Sequence, residues 1–251
     1  MYCEYVPLLQ MQRDLYRIPL GQPRFDAYLR MMIEPSRQDL RYPFHLLNPM
    51  AKDHIATCYD TLLSFDADEI AAVALSALQP MLAGIYGESY RVALVVIDDL
   101  KGGWTNRYAT DYHLRFPDEE IARRSPRWVT AIIWSGDLAP TIDRVREAVN
   151  LAVLRQAYAW QLRSPITLQD KLEREGKVMR QAGCTLPILD RADLEYTREV
   201  LRPDLNETDM RTAIQCMYGD EAGRTLGFPP KGLSPYAGLA LALHDARRAS
   251  R

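Results

Sequence analysis

Arg107, Asp111, His113 and Arg115 lie within nine residues of one another and are the group in this chain best equipped for chemistry. A carboxylate beside a histidine fixes the imidazole ring and favours its protonated form, so Asp111 and His113 suit a general acid–base pair. The planar guanidinium forks of Arg107 and Arg115 suit bidentate binding of an anionic substrate. Asp98 and Asp99 precede them and add carboxylates that could hold a ligand.

Histidine also ligates metals. The segment His45-Leu-Leu-Asn-Pro-Met-Ala-Lys-Asp-His54 carries two of the four histidines. Metal binding would need His54 to meet ligands from elsewhere, His45, His113 or Asp111 among them, and a two-histidine, one-carboxylate site for a divalent metal is chemically possible. A histidine at a helix boundary, bonded to a backbone carbonyl, is the better reading of His54. The loop Gly227-Phe-Pro-Pro-Lys-Gly232 is a third candidate, since its glycines and Lys231 could approach a ligand, although a stiff connector needs the same residues.

These side chains need elements to hold them. From Trp104 to Phe116 aromatic and polar residues alternate, which predicts a long strand with Arg107, Asp111, His113 and Arg115 on one face. Neighbours two apart on such a face stand roughly 6.5–7 Å apart. Val92–Ile97 is an unbroken apolar run, as expected of a strand covered on both faces, and Trp128–Trp134 is a third strand. With a turn at Gly102-Gly103 the simplest arrangement is an antiparallel hairpin plus one strand. Asp98, Asp99 and Arg107 would then cluster at one end, and Asp111, His113 and Arg115 farther along. A solvated face with cross-strand ion pairs accounts for the same charges without a ligand.

Helices flank that sheet. Phe25, Tyr28, Leu29 and Met32 form a helical stripe. Asn48-Pro49 predicts a helix start running to Ser64, and Asp66 with Glu69 a capping box before a helix that Pro80 should end. Residues 140–163 predict a helix of about six turns. Thr167 with Asp170, Asp190 with Asp193, and Asn206 with Asp209 mark three further starts, with Gly183 and Gly219 as stops. Ser234-Pro235 opens the last helix. The expected fold is α+β: one predominantly helical domain over 1–251 around a small, mostly antiparallel sheet of three or more strands. It is helical over 1–90, sheet over 91–136 and helical over 137–251.

Composition narrows the function. The 251 residues carry a net charge of −2 with 25% charged side chains, against a dedicated nucleic-acid binder. Of 31 basic residues five are lysine, leaving 26 arginines; the cluster Arg123, Arg124, Arg127 is offset by Asp118, Glu119 and Glu120. No apolar run reaches the ~18 residues of a membrane span, and no basic-then-apolar leader opens the chain. Cys3, Cys58, Cys184 and Cys216 lie far apart, which suits reduced thiols in a cytoplasm. Phosphate-loop, dinucleotide, zincin and nucleophile-elbow signatures are absent. Asn206-Glu-Thr208 fits a glycosylation sequon that a cytoplasmic chain would leave unmodified. Fourteen tyrosines against five phenylalanines suit semi-exposed interfaces, and small residues along 237–246 suit packing in a homodimer.

Two functions fit. One is a soluble cytoplasmic protein that binds a protein partner, a second copy of itself or a small ligand. The other is an enzyme for a small anionic substrate, with metal-assisted hydrolysis as one form and His113 and Asp111 as its acid–base pair or ligands. Neither needs nucleic acid or a membrane.

Overall fold

The computed structural model describes residues 1–33, 41–85, 87–100, 106–117, 128–137 and 139–249. The chain divides into two compact units: residues 1–106 with 120–161, and residues 107–119 with 162–251.

The first unit is built on a parallel sheet. Strand β1 (Tyr2–Tyr5) pairs with β2 (Ser89–Ile97), which pairs with β3 (Trp128–Trp134). The expected antiparallel hairpin is therefore wrong, and residues 1–90, expected to be mostly helical, also hold β1. The run Val92–Ile97 already held the reason. A parallel strand is covered on both faces and shows no polar alternation. Val92, Leu94 and Val96 enter one core with Val129, Ala131 and Ile133, while Ala93, Val95 and Ile97 enter the other with Leu8, Phe44 and Leu47.

Among the described residues four helices lie between β1 and β2: α1 (Leu9–Leu15), α2 (Gln22–Met32), α3 (Asp53–Ser64) and α4 (Ala67–Leu82). Helix α6 (Ile142–Gln161) follows β3 and packs on it and on α4 through Val145, Val149 and Val153. Pro80 does not stop α4, which runs two residues past it, and Asp66 caps nothing with its side chain.

Gln12 of α1 closes a gap in the sheet. Strand β1 ends its pairing at Val92, and Val6 donates one more bond to the Val92 carbonyl. Beyond that point the fully buried Gln12 amide takes over. Its Nε2 donates to Leu94 O at 2.8 Å, and its Oε1 accepts from Val96 N at 3.3 Å and from the Tyr59 hydroxyl at 3.1 Å. One side chain thus satisfies backbone groups that a longer β1 would have paired.

The second unit is helical: α5 (Arg107–Arg115), α7 (Leu168–Gln181), α8 (Arg191–Leu201), α9 (Met210–Tyr218), α10 (Asp220–Thr225) and α11 (Ala237–Arg248). The long strand expected over Trp104–Phe116 is corrected here, because residues 107–115 form α5. Alternation and helical spacing share the interval of four. Arg107, Asp111 and Arg115, like Tyr108, Tyr112 and Phe116, stay aligned either way, so the pattern could not tell the two apart.

Four of the anticipated helix signals are borne out. Thr167 and Asp170 form a capping box at α7, with Gly183 at positive φ just past its end. Asp190 caps α8, and Gly219 ends α9. Asp209, not Asn206, caps α9, and α11 starts at Ala237 after a left-handed Tyr236. Gly176 on α7 is required by packing: a β-carbon there would lie 2.4 Å from the Ala242 carbonyl of α11.

Candidate functional site

Strands β2 and β3 end in register at Ile97 and Trp134, so the residues after them emerge side by side. Those residues are Asp98-Asp99 and Ser135-Gly136. Asp98 is 2% exposed, and a carboxylate buried that deeply needs donors. Asn48 Nδ2 donates to Oδ2 at 3.0 Å, while His54 Nε2 at 2.9 Å and Leu100 N at 3.1 Å reach Oδ1. Ser135 Oγ approaches both acids, at 3.4 Å from Asp98 and 3.5 Å from Asp99. Asp99 Oδ1 accepts from Gly136 N at 2.7 Å. That approach needs glycine, because a β-carbon at 136 would lie 2.8 Å from the same oxygen.

The segment before α3 delivers Asn48 and His54. Asn48 does not start a helix; its Oδ1 accepts from Met50 N and its amide goes to Asp98, while α3 begins at Asp53. Three contacts pin this segment. Tyr16 donates to Asn48 O at 2.8 Å, Tyr28 to Phe44 O at 3.0 Å, and Arg24, 8% exposed, reaches the Ala51 carbonyl at 3.1 Å. Burial, reinforced by the charge of Asp98, raises the Tyr16 phenol well above its ordinary range, so this hydroxyl stays a donor. His54 enters from the first turn of α3, its ring 30% exposed. Among the described residues its Nδ1 has no hydrogen-bond partner.

The result is a histidine oriented by a buried carboxylate at the carboxyl end of parallel strands. Such a ring can bind a ligand or move a proton. Ser135 bonds to the acids rather than to His54, so the three do not form a nucleophilic relay.

The other anticipated residues divide between the two units. Asp98 and Asp99 belong to the first unit, and Arg107 to the second. His54 and His113 are likewise in different units, and no group of three histidine, cysteine or acidic side chains able to hold a metal occurs among the described residues. His45 is exposed. The expected pairing of Asp111 with His113 depended on a strand. Two residues apart on a helix they point about 200° from one another. His113 is exposed and sets its ring edge-on to Tyr112, with centroids 5.9 Å apart.

Asp111 turns instead to Arg115, accepting from its Nε at 2.8 Å, and Arg115 also binds Glu175 of α7, which is 1% exposed. Burial alone would lower the Arg115 pKa, but the charges of Asp111 and Glu175 outweigh it and hold the guanidinium charged. Tyr218 lies under that guanidinium, 5.7 Å from ring centroid to Cζ; burial and then Asp111 push its phenol far up. This is a structural ion cluster within the second unit.

The 227–232 loop is a connector. Asp220 accepts from Lys231 N and Gly232 N, each at 2.8 Å, Lys231 Nζ pairs with Asp204, and Gln215 donates to Pro229 O at 2.7 Å. The Gly102-Gly103 turn and the charged run 118–127 lie outside the described residues. No helix of the described chain is long and apolar enough to cross a membrane.

The missed residues are Asn48, Ser135, Gly136 and Tyr16. Ser135-Gly136 did carry a signal, since it follows an apolar strand as Asp98-Asp99 does. Comparison with protein-family models, curated proteins and solved structures finds no match to this chain.

Proposed function

We propose that the chain is a small-ligand-binding protein whose site is the carboxyl end of β2 and β3, centred on His54 and Asp98. The observation that carries this reading is the 2.9 Å bond from a half-buried imidazole to an almost fully buried carboxylate. Holding Asp98 in place takes Asn48, Ser135 and a segment anchored by the side chains of Tyr16, Arg24 and Tyr28, a costly arrangement for an idle surface histidine. Among the described residues the sheet order β1-β2-β3 contains no reversal of the kind that opens a binding crevice, so the reading rests on residues rather than on fold.

The same dyad supports a second reading as an enzyme with His54 as proton acceptor. It replaces the His113 and Asp111 pair, which α5 separates. A thermal-shift screen of wild type and His54→Gln against small alcohols, amines, carboxylates and phosphates tests the site. A ligand at 100 times its Kd should stabilise by about 2.7 kcal/mol. For a chain of this size that is a rise of roughly 5–10 °C. Hits that vanish in His54→Gln support the site, and hits that persist there place binding elsewhere. Turnover of a hit, lost in the same variant, selects the enzyme.

A further inference from the structure

Asp98 fixes which ring nitrogen of His54 carries the proton. Asn48 Nδ2 and Leu100 N donate to this carboxyl, as His54 Nε2 does, so Asp98 acts towards all three as an acceptor. An accepting carboxylate requires a proton on Nε2. The neutral ring then presents a bare lone pair at Nδ1, the nitrogen with no partner among the described residues. From this tautomer, and resting on the binding reading above, we infer that the site takes a ligand group that donates a proton, a hydroxyl or an ammonium, and not a phosphate or carboxylate.

The surroundings agree on sign. The amino end of a helix ordinarily draws anions. In α3, however, that end carries Asp53 in its first turn, and the side chain of His54 leads to Asp98, with Asp99 beside it. Negative charge already occupies the place an anion would take. A hydroxyl or ammonium meets a lone pair it can donate to, near carboxylates that favour positive charge.

The test is a long-range proton–nitrogen correlation spectrum of the full chain labelled with nitrogen-15, His54 being assigned by its loss in His54→Gln. In the uncharged ring the spectrum should show Nε2 protonated and Nδ1 bare. Glycerol, ethylammonium, acetate and inorganic phosphate are then titrated separately at matched ionic strength. The Nδ1 resonance should move with glycerol or ethylammonium, the two arms telling alcohol from amine, and hold still with acetate and phosphate. The responding probe should bind at least about tenfold more weakly to His54→Gln, a loss of about 1.4 kcal/mol. Movement with acetate or phosphate alone overturns the ligand class while leaving the site standing. A proton on Nδ1 overturns the class as well. An assigned ring indifferent to all four probes removes both the class and the site.

Discussion

His54 Nε2 and Asp98 Oδ1 meet at 2.9 Å although 44 residues separate them in sequence. Asp98 therefore holds both the ring and the Asn48 segment. In Asp98→Asn an amide of equal size replaces one accepting oxygen with a donor, so at least one buried donor loses its partner. The expected cost is about 1–3 kcal/mol by denaturant unfolding. The His54 tautomer should cease to be fixed, which the same nitrogen spectrum reads directly.

Gln12 stands where a longer β1 would pair with β2. Gln12→Leu fits the space but leaves Leu94 O without this donor and deprives the Tyr59 hydroxyl of its acceptor. A loss of about 2–4 kcal/mol is expected, since buried polar groups without partners cost about 1–3 kcal/mol each. Amide exchange at Val96 should also accelerate relative to Val92, whose carbonyl keeps its bond from Val6. Uniform acceleration along β2 would argue against this role.

Arg115 is the cation between Asp111 and Glu175. Arg115→Met keeps much of the side-chain volume but strands Glu175, 1% exposed, without that charge. Breaking a buried pair from one side costs about 3–5 kcal/mol. The double variant Arg115→Met, Glu175→Leu should recover most of it, and equilibrium unfolding of the three proteins forms the check.

Acid should weaken the second unit through its helix caps. Backbone hydrogen bonds from Thr167 and Thr212 hold the Asp170 and Asp209 carboxyls below their ordinary value. A group whose folded pKa is depressed stabilises fully above its unfolded value, near pH 4, and loses that contribution as pH falls through the folded one. Asp68, whose pKa burial raises, works with the opposite sign. Stability measured from pH 6 down to pH 2 should fall less steeply in the Asp170→Asn, Asp209→Asn double variant than in wild type.

How far the sequence led differs by element. Caps at Thr167 and Asp190 and the stop at Gly219 were legible because capping is local: the residue that signals the helix end also makes the bond. Strands β2 and β3 were legible from their apolar runs, but not their direction, which depends on where the chain crosses over. Strand β1 has only four residues, too few for a periodic signal. The helix α5 was misread because Arg107, Asp111 and Arg115 satisfy both periods. At the site, Asp98, Asp99 and His54 were visible as residue types. Their union through Asn48, and the part played by Ser135 and Gly136, arises from strand register, which no local pattern encodes.

Helix α5 lies in sequence between β2 and β3 yet belongs with residues 162–251. The second unit is therefore threaded from two stretches of chain, with β3 and α6 made between them. A ribosome emitting this protein releases α5 before any of the helices it joins. The guanidinium of Arg115 must wait in solvent until α7 brings Glu175 and α9 brings Tyr218. A fragment cut at residue 162 would carry those two residues without their cation, so the useful place to divide this gene is not between the units but around a grafted α5.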